Sequence, residues 1–62
     1  MTYFVATWSA DDPVIRVRRR WRFRLLPGYE HELGRWIRAW SRSRDDAVKM
    51  VRWELYKVGL GQ

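Results

Sequence analysis

The sequence predicts an α+β fold: a small antiparallel sheet of two or three strands packed on a C-terminal helix, in the order β-β-β-α rather than β-β-α-α. Three observations carry this expectation. Residues 14–26 alternate with period two, residues 43–58 repeat with the helical period behind a capping signal, and turn residues punctuate the chain at 10–13 and 27–28. Residues 1–62 read as a single small domain, because a chain of 62 residues has surface enough for only one thin core.

Residues 2–9, TYFVATWS, are rich in β-branched and aromatic types and read as a first strand. Ala10-Asp11-Asp12-Pro13 reads as a turn, since Asp bonds its own backbone ahead and Pro fixes φ. In residues 14–26, VIRVRRRWRFRLL, one face carries Ile15, Val17, Trp21, Phe23 and Leu25, interrupted by Arg19. The other face carries Arg16, Arg18, Arg20, Arg22 and Arg24. Successive strand side chains point to opposite sides, so this segment is a strand with one apolar face and one Arg face. Pro27-Gly28 signals the next turn.

Residues 29–42 fit two patterns. As a helix, Tyr29, Leu33, Trp36, Ile37 and Trp40 gather on one side, with Gly34 costing roughly 1 kcal/mol in the middle. As a strand, Leu33, Ile37 and Ala39 turn inward, and Glu32, Trp36, Arg38 and Trp40 turn outward. A short turn after Leu25 would then set Glu32 beside Arg24 and the two Trp beside Arg20 and Arg16. Economy of the sheet favours the strand, since a lone two-stranded hairpin is marginal. Residues 43–58 read as a helix. Ser43 with Asp46 approximates a capping box, and Gly59 stands where a helix stops. Ala47, Val48, Val51, Leu55 and Val58 share one side of it, with Trp53, Tyr56, Lys49 and Arg52 on the other. The expected core is Ile15, Val17, Trp21, Phe23, Leu33, Ile37, Val48, Val51 and Leu55.

Composition narrows the chemistry. Thirteen Lys and Arg against seven Asp and Glu give a net charge of +6, and eleven of the thirteen are Arg. Arg offers a planar fork of donors that grips phosphate bidentately, where Lys offers a hydrated point charge. The absence of Cys excludes disulfides, thiolate nucleophiles and Cys-ligated metal. A single histidine, His31, does not suffice for a His-rich metal site or a Ser–His–Asp triad. Glu30, His31 and Glu32 lie on one short segment without a further ligand, and the glycines have no phosphate-loop spacing. No enzyme activity, cofactor or metal is expected. No apolar run approaches the ~18 residues of a membrane span, and the N-terminus lacks signal-peptide features, so a cytoplasmic protein is expected.

The Arg face of residues 14–26 is the informative constellation. Five Arg at spacing two stand roughly 6.6–6.8 Å apart along a strand, comparable with phosphates along one nucleic-acid strand. Such a row repels itself, and a polyanion relieves the repulsion while releasing its own counterions. Charge on an exposed strand against aggregation, or a lattice of Arg with Trp36, Trp40 and Glu32, would be its structural uses. The expected function is non-enzymatic nucleic-acid binding, duplex DNA before RNA, through Arg16, Arg18, Arg20, Arg22, Arg24 and Arg38. Trp36, Trp40, Trp53 and Tyr56 are candidates for base stacking or partner contact; as a helix, 29–42 would instead send Trp36 and Trp40 into the core. The rival expectation is a small inhibitor or adaptor, set by its basic face or by Trp53 and Tyr56 against an acidic protein. Either a monomer or a homodimer suits these features.

The order of strand, Arg-rich strand, turn, strand ending in Arg38-Ala39-Trp40, and Ser43-x-x-Asp46-Ala47 opening a helix resembles the arm-type DNA-binding domains of tyrosine recombinases. The resemblance covers residues 2–59 as a pattern rather than a motif. It implies a three-stranded sheet in the major groove with one helix behind. Arg16, Arg18, Arg20, Arg22 and Arg24 would then face the groove, and Ala47, Val48, Val51 and Leu55 would pack the helix on the sheet. The chain departs from that pattern in its greater number of Trp. An accessory protein of a phage or mobile element is the setting such a size and charge suggest.

Overall fold

A computed structural model describes residues 2–21 and 26–59. Its order is β1 (Thr2–Ser9), β2 (Asp12–Trp21), β3 (Gly28–Glu32), β4 (Trp36–Ser41) and α1 (Arg44–Lys57). The strands form one antiparallel sheet in the order β2-β1-β4-β3, with α1 packed mainly on the two central strands. The α+β fold is as expected from sequence. The sheet has four strands where two or three were anticipated, because 29–42 is neither one helix nor one strand.

Gly34 is the reason. It stands at the third position of a four-residue turn with φ +76°, and the Arg35 N–H donates to the Glu32 carbonyl at 2.9 Å. Positive φ at that position is the requirement of a type II turn, and glycine meets it without a Cβ penalty. The glycine therefore divides the segment into a hairpin. The helical spacing of Tyr29, Leu33, Trp36, Ile37 and Trp40 never comes into use. Leu33 sits in the turn and is 72% exposed, which removes it from the expected core.

The two hairpins, β1–β2 and β3–β4, meet along β1 and β4. Ala6 opposes Ala39 there, and both are fully buried with Ala47 of α1. Three small side chains at this junction let the helix approach the sheet closely. Ile37, Val51 and Leu55 complete the buried cluster, and Phe4, Trp8, Ile15, Val17, Val48 and Met50 pack around it half-buried. Of the remaining expected core, Trp21 lies on the helix-side face but is 79% exposed. It sits at the far end of an edge strand that α1 touches only lightly. Phe23 lies outside the described residues.

The helix is fixed at both ends as its sequence suggests. The Ser43 side chain accepts from the Asp46 N–H, Asp45 and Asp46 place negative charge in the first turn, and Lys57 lies in the last. Gly59 follows the C-cap with φ +79°. Glu54 is the exception on the packing side. It is buried there and accepts from Lys57 Nζ at 3.4 Å. Among the described residues, no helix is long and apolar enough to cross a membrane.

Candidate nucleic-acid interface

Residues directly opposed in an antiparallel ladder share a face. The registers therefore sort the sheet. Ala6, Val17 and Ala39 point toward α1, and their sequence neighbours point away. The face away from the helix carries Arg16, Arg18 and Arg20 on β2, Tyr3, Val5 and Thr7 on β1, Trp36, Arg38 and Trp40 on β4, and Gly28, Glu30 and Glu32 on β3. No helix covers this face.

Four of the expected cations, Arg16, Arg18, Arg20 and Arg38, are brought together there and are exposed. Arg22 and Arg24 lie outside the described residues. Trp36 and Trp40 are on the same face, so the core position that a helical 29–42 would give them is not realised. Their placement differs from the expected strand register too. They lie on β4, which pairs with β1 and β3, so β1 separates them from the Arg row. Glu32 accordingly stands opposite Trp36 rather than beside Arg24.

The charges on this face are sorted across its width. On the β3 side they are neutralised. Arg38 Nη1 donates to Glu30 Oε1 at 2.9 Å, and its guanidinium sits 5.8 Å from the Trp36 ring centroid. Trp36 Nε1 donates to Glu32 Oε2 at 3.1 Å, and Arg35 Nη1 donates to Glu32 Oε1 at 3.3 Å. This is an Arg–Trp–Glu lattice of the kind considered from sequence, built with Arg38 and Arg35. On the β2 side, Arg16 Nε donates to Asp12 Oδ2 at 2.8 Å. That hydrogen bond, and then the charge of Asp12, raises the Arg16 pKa above its ordinary value. Among the described residues, Arg18 and Arg20 have no carboxylate partner.

The relief of the face follows from side-chain size. Val5 and Thr7 form a low floor along β1, between the Arg row of β2 and the Arg38 and Trp40 side chains of β4. The resulting trough encloses about 420 Å³ and ends at Tyr3. Trp40 has a particular support. A Cβ on its cross-strand partner Gly28 would lie 2.8 Å from Cζ2 and 3.0 Å from Cε2 of the indole. The ring thus occupies the space above Gly28 where any other residue would carry a side chain. Sequence reasoning assigned Gly28 only to a turn, and its role as the seat of an indole is visible only once the β3–β4 register is known.

The other candidates lie elsewhere. Trp53 and Tyr56 project from the outer side of α1, 61% and 67% exposed, and stack on each other with centroids 5.9 Å apart. Glu30 and Glu32 share the trough face, whereas His31 points to the helix side and stacks on Tyr29 at 5.7 Å. Strand alternation thus divides this trio. Among the described residues, no group of three or more His, Cys, Asp or Glu could hold a metal ion. No protein-family model matches the chain, and no curated protein or solved structure matches it significantly.

Proposed function

We propose that this chain is a non-enzymatic nucleic-acid-binding protein that grips a sugar–phosphate backbone with the Arg face of β2. One observation carries the reading. Among the described residues, Arg18 and Arg20 stand exposed and without carboxylate partners on the sheet face away from α1, beside an open trough, while Arg16, Arg38, Glu30 and Glu32 on that face are paired. Folding alone gives no reason to leave two adjacent like charges uncompensated, and a phosphate row supplies the compensation. The likeness to arm-type recombinase domains supports using the sheet as the docking surface, and duplex DNA is the ligand that this likeness alone favours. Those domains use three strands, and this sheet has four. An accessory role for a phage or mobile element, in the cytoplasm, is part of the same proposal.

Fluorescence anisotropy with labelled DNA, from low to physiological salt, tests it. Three phosphate contacts on β2 give a log–log slope of about −2 to −3. Absence of binding at low salt, with the protein folded, overturns the reading. A second reading rests on the exposed Trp53–Tyr56 stack beside Lys49 and Arg52, where an acidic protein partner would dock on α1. Trp53→Ala would abolish that interaction and leave DNA binding on the opposite layer unchanged.

A further inference from the structure

The trough narrows the ligand class, an inference that rests on the nucleic-acid reading above. We propose that it takes a single strand of nucleic acid, with phosphates along Arg16, Arg18 and Arg20 and bases turned across β1 onto Trp40.

Shape is the first argument. A sheet that reads a major groove must project into it, because the base edges lie about 8.5 Å deep in a groove about 12 Å wide. This face is hollow over Val5 and Thr7, opposite Arg18 and Arg16, and is closed at the Arg20 end by Tyr3, which is 6% exposed. A duplex laid on it meets the rims and leaves the floor empty. The β2 and β4 backbones are two interstrand spacings apart, about 9.5 Å, which is the scale of one nucleotide strand lying between them.

Polarity is the second argument. One wall is the Arg row of β2, and the other presents an indole beside Arg38, whose charge Glu30 compensates. A nucleotide in a single strand has the same asymmetry, with phosphate on one side and an unstacked base on the other. In a duplex the base faces are already stacked, so Trp40 would have nothing to add.

The third argument is the seat of Trp40. Its ring lines the trough and lies over a residue that has no side chain. A ring set against backbone before the ligand arrives loses little freedom on binding. Gly28 is thereby a positioning residue for the stacking surface, and Thr7 and Val5 are the floor over which the sugar passes.

The experiment compares one mixed-sequence oligonucleotide, free and annealed to its complement, with inorganic polyphosphate as a base-free competitor. The expected result is tighter binding of the free strand, and weaker competition by polyphosphate than by an unlabelled strand of equal charge. Trp40→Ala should lower single-strand affinity about 5- to 150-fold, the range of one base stack, and leave duplex affinity unchanged. Gly28→Ala displaces the ring with every cation kept, and should act in the same direction. Circular dichroism confirms the fold of each variant. Where a variant fails to fold, the polyphosphate comparison on the native chain decides alone. Equal binding of strand, duplex and polyphosphate overturns this inference and leaves the nucleic-acid reading standing, as does tighter binding of the duplex. Failure of all three to bind at low salt removes both.

Discussion

At Arg18 and Arg20 the side chains are exposed and pair with no acid among the described residues, so stability and binding separate there. Arg18→Gln or Arg20→Gln should change unfolding free energy by less than about 0.5 kcal/mol. Each should reduce the salt slope of single-strand binding by about 0.7. A loss of fold in the double variant would show that the row is structural. Arg16 differs, because Asp12 holds its charge. Its raised pKa means that, wherever Asp12 is ionised, the ion pair contributes in full below the ordinary Arg value and fades only as pH climbs through the raised one. DNA binding measured from about pH 6 to pH 9 should therefore be flat. Gly28 makes the opposite kind of site. Its Cβ position is filled by Trp40, so Gly28→Ala should cost about 1–3 kcal/mol by overpacking, read as a lower denaturant midpoint. In the background of Trp40→Ala most of that cost should vanish, a coupling that a double-mutant cycle measures.

Among the elements, the contrast between Ile37 and Leu33 is the sharpest. Both are large aliphatics on the same hairpin, yet one is buried under α1 and the other stands on the turn. Ile37→Ala should cost about 2–5 kcal/mol, and Leu33→Ala should stay within about 0.5 kcal/mol. Ser43→Ala removes the bond to the Asp46 N–H and should cost about 0.5–2 kcal/mol, seen as a lower thermal midpoint. These elements also show what the chain discloses before folding. The alternation of Ile15 and Val17 with Arg16 and Arg18, and the Ser43 cap, are local signals, and strand β2 and helix α1 were legible from them. The hairpin at 33–35 was not, because apolar spacing in 29–42 matched a helix by coincidence while Gly34 alone marked the break. The trough was legible only on its basic side. Its aromatic side depends on β4 pairing with β1, a contact between residues 27 to 37 positions apart, and no local pattern encodes it.

For the molecule as a whole, the two outer strands differ in charge. The β2 edge is lined with Arg, and the β3 edge with Glu30 and Glu32. Pairing two copies along β2 sets Arg beside Arg, which disfavours a symmetric dimer through that strand, whereas Glu30 and Glu32 on β3 are compensated by Arg38 and Arg35. Sedimentation at low salt should accordingly show no dimer built by pairing along β2, and a stable one would have to use another surface, such as the Trp53–Tyr56 side of α1. The central seam between β1 and β4 has a kinetic consequence. Each hairpin can zip from its own turn, but an isolated hairpin is marginal in water. Joining residues 4–9 to 36–41 closes most of the chain into a loop, an entropic toll met before Ala6 and Ala39 come to lie under the helix. Refolding should therefore proceed as one cooperative event, slower than that of a helical bundle of equal length, with the burial of Ala39 and the docking of α1 completed together.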